Sequence, residues 1–197
     1  MAVLKTKGLL KKTVAPLNPW RVKMRQAIVH RVIKEYRERA AQSKGWDGNC
    51  YVDKYDSKQW IKRVCADAES IQSESGAMNY GVAVYRDFVI KVVEPSDAVY
   101  DLLQRIHSKE IRSKHFPKVF TFQKIENVAL VVMERLYTFE SARQVSSELR
   151  SRRFRNIEES LRKIFKNLRK FHNREDCHSG NIMQRKDGTI VLVDPIA

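Results

Sequence analysis

Several features that would quickly identify a class of protein are scarce in this sequence. Cysteine occurs three times in 197 residues, at positions 50, 65 and 177, which is too few and too scattered for a disulfide framework or a spaced zinc site. Apolar runs are short and interrupted by charge, so we expect no transmembrane span and no membrane partner. No apolar segment of the signal-peptide type follows the amino-terminal lysines. These absences favour a protein that resides in a reducing cytoplasm.

Acidic residues are also few, 23 against 38 basic ones, which gives a formal net charge of +15. The excess is concentrated in two blocks: residues 1–50 carry twelve Lys or Arg against three acids, and residues 150–174 carry ten against two. Such an imbalance favours an acidic partner such as nucleic acid, an anionic surface or phosphate. Solvated helix faces are the alternative explanation of both blocks.

Hydrophobic periodicity predicts a mixture of helices and strands, and 43% hydrophobic content is enough to fill a core. The first helix, residues 20–41, carries apolar residues every four positions and is expected to pack on the main domain; a free nucleic-acid-binding helix is the alternative. The further helices are predicted at 57–71, from about 96, and at 156–172. The strands are predicted at 80–85, 88–93, 117–120, 128–133, 181–184 and 189–193.

A cluster of oxygen-bearing side chains lies near the carboxyl end. Asp176 and Asn181 follow a predicted helix, and Asp194 ends an apolar strand, so the three groups can converge at one cleft. Oxygen-rich clusters of this kind suit Mg²⁺. Upstream, Lys91 interrupts an otherwise apolar strand, where its charge needs a partner. A nucleotide phosphate is one candidate partner, and an edge position in solvent is the alternative.

The order of Lys91, Met133-Glu134-Arg135-Leu136, Asp176-x-x-x-x-Asn181 and Asp194 resembles the protein-kinase-like fold. More closely, Asp-x-His-Ser-Gly-Asn-Ile-Met with a following Asp-Pro resembles the early serine/threonine kinase of short-tailed bacteriophages. The segment Cys65-Ala66-Asp67-Ala68 is similar to that family too. The resemblance implies an α+β, protein-kinase-like fold, with a small antiparallel-sheet N-lobe and a minimal, truncated helical C-lobe. It divides the chain into a basic extension (1–56), an N-lobe (57–136) and a C-lobe with the catalytic loop and metal-binding hairpin (137–197).

The resemblance also implies ATP and Mg²⁺ as cofactors. Asp176 would accept the proton of the attacking hydroxyl or orient it, and Asn181 and Asp194 would hold Mg²⁺. Lys91 would position the α and β phosphates.

The remaining nucleotide contacts implied by the resemblance are main-chain ones. Glu134 and Leu136 lie in the segment that would present backbone groups to adenine. Gly76 and Gly81 frame a loop that would cover the phosphates, although the chain has no G-x-G there.

Two points of the pattern stay open. The acid that would pair with Lys91 is Asp97, Asp101 or Glu110, and the sequence does not choose among them. The sequence continues three residues past Asp194, without an activation segment or the later helices that seat a peptide substrate. We expect the first helix to supply buttressing that those helices would otherwise give.

The first functional hypothesis is an ATP/Mg²⁺-dependent serine/threonine protein kinase of phage type. By resemblance it would phosphorylate host transcription or RNA-processing machinery, RNA polymerase included, in the cytoplasm of the infected bacterial host. The alternative is a catalytically weak or inactive kinase-like protein that binds and inhibits a host protein or nucleic acid through its basic surfaces. A small-molecule phosphotransferase is a third hypothesis, because Asp-x-His-x-x-Asn also occurs in aminoglycoside- and choline-type kinases.

Overall fold

The structure is a computed structural model that describes residues 19–42, 61–72, 81–95, 98–125, 128–152, 154–157, 159, 161, 164 and 179–193. Helices are interspersed with groups of two or three strands along these residues. The helices are α1 (Pro19–Gln42), α2 (Ala98–His107) and α3 (Ala142–Arg150), with further helical residues at 61–64 and within 152–164. The strands are β1 (Ser70–Gln72), β2 (Val82–Val84), β3 (Phe88–Val93), β4 (Val119–Ile125), β5 (Val128–Glu134), β6 (Ile182–Gln184) and β7 (Ile190–Leu192).

Five strands form one antiparallel sheet in the order β1-β2-β3-β5-β4, and β6 and β7 form a separate antiparallel hairpin. The expectation of an α+β fold with a small antiparallel sheet is confirmed. Strand β3 lies at the centre of the sheet, where Lys91 pairs with Val82 of β2 and Val131 of β5. Any side chain on β3 therefore projects from the middle of the sheet.

Both faces of this sheet are covered, which explains why β5 is apolar from Val128 to Met133 without alternation. Successive side chains of a strand point to opposite faces. On β3, Ile90 and Val92 belong to a core on the outer face, whereas Val93 belongs to a second core on the inner face. The sheet thus separates two hydrophobic cores.

Helix α1 covers the outer face. Its buried residues Val29, Val32 and Tyr36 join the same core as Ile90 and Val92. The predicted packing of this helix on the main domain is therefore confirmed.

Polar contacts fix the position of α1 on that face. Arg31 pairs with Asp67 at 2.6 Å, and Arg21 pairs with Asp87 at 3.3 Å. These exposed pairs contribute little energy and define the orientation of the helix more than its stability.

The inner core joins the sheet to the later part of the chain. It contains side chains of α2, of the helical residues in 152–164, and of the β6–β7 hairpin. These are Val99, Leu102, Leu103, Phe154, Ile157, Leu161, Ile182, Ile190 and Leu192. The inner face of the sheet is therefore the one that meets the elements carrying the predicted chemistry.

Two predicted elements differ from the structure. The helix predicted at 57–71 is helical only at 61–64 among its described residues, and Ser70–Gln72 instead forms β1, whose Ile71 pairs with Ala83. The strand predicted at 117–120 begins and ends later, as β4.

Helix α3 was not predicted. It is short, and Val145 and Leu149 are its only large apolar residues. Ser141 caps its amino terminus by accepting a hydrogen bond from the Gln144 N–H at 3.3 Å. Among the described residues, no helix combines the length and apolar character required to cross a bilayer.

Candidate functional site

Lys91 is buried, with 4% of its surface exposed, at the centre of the sheet. It lies between Val89 and Val93 in strand register, so its side chain leaves the inner face, the one shared with the β6–β7 hairpin. The alternative of an edge position in solvent is wrong. A buried ammonium is tolerated only where polar or anionic groups compensate its lost hydration.

Two of the three acids considered as partners of Lys91 are engaged elsewhere. Arg105 contacts Asp101 at 3.0 Å and Glu110 at 3.6 Å. The third candidate, Asp97, lies outside the described residues. Their ion pairs with Arg105 therefore make Asp101 and Glu110 less suitable as partners of Lys91.

Gly81 lies immediately before β2, and its C=O accepts a hydrogen bond from the Val92 N–H at 3.3 Å. Its φ of +122° is in the region that favours glycine, and a Cβ there would stand 2.7 Å from Cγ2 of Ile61. Close packing against the helical turn at 61–64 is thus sufficient reason for this glycine. The other predicted loop residue, Gly76, lies outside the described residues.

Asn181 ends a 3₁₀ turn, Ser179–Asn181, that leads directly into β6. Its C=O accepts a hydrogen bond from the Val193 N–H at 2.9 Å, and the next residue, Ile182, is buried in the inner core. Asn181 therefore lies beside the end of the hairpin, on the core that also borders Lys91.

The two carboxylates predicted near Asn181 fall on Asp176 and Asp194, which lie outside the described residues. Chain connectivity places Asp194 directly after Val193, the residue bonded to Asn181. Within the described ranges, no three His, Cys, Asp or Glu residues are grouped to hold a metal ion. The donor set of one amide oxygen and two carboxylates is chemically suited to Mg²⁺, and the magnesium site stays a prediction.

The segment after β5 contains the predicted adenine-facing residues. The Glu134 N–H donates to the Lys118 C=O at 2.9 Å, and the Arg135 N–H donates to the Asp87 C=O at 3.4 Å. Leu136 makes no main-chain hydrogen bond to another described residue. As far as the described residues go, the N–H and C=O of Leu136 are therefore open to a planar hydrogen-bonding ligand.

The Glu134 side chain has a structural role that the sequence did not reveal. Its carboxylate accepts hydrogen bonds from Nε of Arg185 at 2.9 and 3.1 Å, and from the Lys118 N–H at 2.7 Å. The Glu134 and Arg185 side chains are 13% and 15% exposed. Arg185 also donates to the C=O groups of Lys114 and Phe116. This ion pair joins the end of β5 to the hairpin.

Two further contacts fasten the hairpin to the sheet side of the molecule. Tyr137 and Gln184 exchange two main-chain hydrogen bonds of 2.9 and 2.8 Å. The Leu192 N–H donates to the His115 C=O at 2.8 Å, and Nδ1 of His115 lies 2.9 Å from the Ile190 C=O. The strand that carries Lys91 and the hairpin that follows Asn181 are thus held in a fixed relation.

The Cys65–Ala68 segment lies on the outer side of the sheet. Asp67 accepts hydrogen bonds from Arg31 and from the Tyr85 hydroxyl at 3.1 Å. Burial alone would raise the pKa of Asp67, but these hydrogen bonds outweigh it and lower that pKa. Burial raises the pKa of the Cys65 thiol to about 11. Because Cys65 and Tyr85 belong to the outer core, this segment stabilises α1 and takes no part in the inner-face site.

Comparisons with known proteins yield little. No family model matches the sequence, and no curated protein matches it. Among solved structures, monomeric WbdD matches with a TM-score of 0.40 and 16% identity, covering 64% of this chain and 36% of that one. The match is distant, and the aligned part is about a third of that protein's length.

Proposed function

We propose that this chain is an ATP- and Mg²⁺-dependent phosphotransferase with a protein-kinase-like fold, specifically a serine/threonine protein kinase of phage type. One observation carries the proposal. Lys91 is buried at the centre of the sheet, on the face that shares a core with the hairpin following Asn181. A buried cation that borders the same core as the turn at Asn181 is suited to binding a nucleotide's phosphates together with their metal ion.

The order of elements along the chain also supports the proposal. A lysine lies on the third strand of a five-stranded antiparallel sheet, and one helix, α2, separates the third and fourth strands. A short segment then leaves the fifth strand, followed by helical residues, a turn and a hairpin. This is the order that the resemblance to protein kinases implies.

The proposed roles fall on separate parts of the chain. Lys91 would attract the α and β phosphates, and the main chain of Leu136 would bind the edge of the base. Asn181 and Asp194 would hold Mg²⁺, which when bound neutralises charge on the transferred phosphoryl group. Asp176 would orient the substrate hydroxyl and accept its proton.

The proposed substrates are host proteins of the transcription or RNA-processing machinery, RNA polymerase included, in the infected bacterial cytoplasm. Family resemblance is the basis of this part of the proposal. Four exposed cations between positions 143 and 155 are compatible with an acidic protein or nucleic-acid surface, because none of them pairs with a described acid. These are Arg143, Arg150, Arg152 and Arg155.

Nucleotide binding and phosphoryl transfer should be measured separately. Calorimetry with Mg·ATP tests binding, and labelled ATP with host lysate tests transfer. We expect Lys91→Met to weaken binding, and Asp176→Ala to keep binding but lower transfer by about 10²- to 10⁴-fold. Lys62→Met, a change at an exposed lysine, is the matched control and should alter neither.

Undiminished transfer by both Asp176→Ala and Asp194→Ala would remove the enzymatic assignment. Steeply salt-dependent binding to host components, with the biological effect retained by Asp176→Ala, would select the non-catalytic binder instead.

A further inference from the structure

A groove of about 460 Å³ lies beside the carboxyl end of α2. Its apolar lining includes Ile106, Ile111, Phe116 and Val119. Three cationic residues, Arg112, Lys114 and Lys118, also line it. We call this surface the α2–β4 groove.

The main chain around the groove is fixed at both ends. At the end of α2, Lys109 has a φ of +66°, and the N–H groups of Glu110 and Ile111 both donate to the Arg105 C=O, at 3.0 and 3.1 Å. This arrangement is a helix-terminating cap of the left-handed type. The groove therefore has a defined shape at its helical end.

At its other end, the same loop is bonded to the hairpin. Arg185 donates to the C=O groups of Lys114 and Phe116, and the Leu192 N–H donates to the C=O of His115. A groove whose walls are already ordered loses little conformational entropy when a ligand binds.

The charge of the groove is not neutralised by the described part of the chain. Arg112, Lys114 and Lys118 are exposed, and none of them forms an ion pair with a described acid. The acids of the neighbouring segments are engaged elsewhere, Glu110 with Arg105 and Glu134 with Arg185. An anionic ligand would therefore meet three positive charges that no described acid compensates, around an apolar floor.

We propose that the α2–β4 groove docks a short acidic segment of a partner protein, one that places a large apolar side chain between Asp or Glu residues. The apolar lining favours burial of a side chain, and the volume lies within the range of ordinary ligand sites. A free phosphate would leave that lining unused, and a nucleic-acid backbone brings negative charge without an aliphatic anchor. The inference rests on the groove alone and does not depend on the proposed phosphotransfer.

The proposal is tested with an unbiased probe. A library of random 12-residue peptides displayed on phage is selected on the immobilised full chain at physiological salt. We expect the enriched peptides to combine Asp or Glu with Phe, Leu or Trp. Fluorescein-labelled synthetic copies then give dissociation constants by anisotropy.

Two matched triple variants separate the groove from general charge. Arg112→Gln/Lys114→Gln/Lys118→Gln removes the groove cations but keeps the main-chain bonds of the loop. This variant should lower the affinity for the enriched peptides by about tenfold or more. Lys23→Gln/Lys62→Gln/Arg63→Gln removes the same charge from exposed positions elsewhere and should change affinity less than about twofold. Both variants should retain the wild-type circular dichroism spectrum.

Replacing the apolar residue of an enriched peptide by Ser should abolish its binding. Failure to enrich acidic-apolar peptides, or equal weakening by the two triple variants, would overturn the proposal. So would a concentration-dependent dimer that only the groove variant disrupts, because the occupant would then be a second copy of this chain.

Discussion

The ion pair between Glu134 and Arg185 gives a stability prediction that follows directly from the contacts. Replacing Arg185 by Met keeps an unbranched apolar stem and removes all five N–H donors. The Glu134 carboxylate, 13% exposed, is then left with the Lys118 N–H as its described donor, and two loop C=O groups lose the guanidinium as a donor. Glu134→Gln is milder, because an amide oxygen still accepts from the guanidinium.

The burial of Glu134 and Arg185 sets the expected change in the free energy of unfolding for each variant. Removing one partner of a buried pair costs about 3–5 kcal/mol, and partial exposure of both groups places Arg185→Met near the lower end, about 3 kcal/mol. For Glu134→Gln we expect about 1 kcal/mol, the usual net value of a hydrogen bond. The double variant Glu134→Met/Arg185→Met should cost no more than Arg185→Met alone, because no charge then stays buried without its partner.

Urea unfolding followed by circular dichroism measures these differences. Arg155→Met is the control, because Arg155 is exposed and makes no described side-chain contact; it should change the free energy of unfolding by less than about 0.5 kcal/mol. The reasoning fails if Arg185→Met is as mild as this control. It also fails if Glu134→Gln is the more damaging of the two single variants.

Three further predictions concern the scaffold. Val32→Ala should lower the free energy of unfolding by about 2 kcal/mol, because Val32 of α1 is buried in the outer core. Deletion of residues 1–45 should lower the melting temperature for the same reason, and an unchanged melting temperature would refute the buttressing role. Gly81→Ala should cost well over the roughly 1 kcal/mol expected for Gly188→Ala, since both have positive φ but a Cβ clashes only at Gly81. In a Cys50→Ser/Cys177→Ser background, Cys65 should react with a thiol reagent at pH 8 only on unfolding. The pKa of the Cys65 thiol is about 11 in the folded protein, above the usual 9.0. The stability that the protonated thiol contributes should therefore be lost as the pH rises from about 9 to about 11.

Elements with a local signal could be predicted from the sequence. Strand β3 coincides with its predicted range of 88–93, and α1 extends one residue beyond each end of the predicted 20–41. An apolar pattern of period two or four depends only on a few neighbouring residues, so it can be recognised without knowing which distant segments pack against it. The apolar neighbours that make Lys91 need compensation are also adjacent in sequence, and the burial of Lys91 agrees with that expectation.

Features that depend on distant partners could not be predicted. Strand β1 exists because Ile71 pairs with Ala83, and that pairing overrides the helical spacing of the residues before it. Glu134 and Arg185 are 51 positions apart, and neither has a neighbour in sequence that marks it as half of an ion pair. The roles predicted for Asp176, Asp194 and Gly76 stay predictions, because those residues lie outside the described ranges.

The arrangement of the two cores decides how α1 can influence the proposed site. Ile90 and Val92 flank Lys91 in the same strand but point to the outer face, where they share a core with α1. Lys91 leaves the opposite face, so α1 acts on it only through the position of β3. A variant that loosens α1 should therefore lower the fraction of folded protein while leaving the nucleotide affinity of the folded fraction unchanged. A drop in affinity per folded molecule, measured by calorimetry on Val32→Ala well below its melting temperature, would show that α1 contributes to the site more directly.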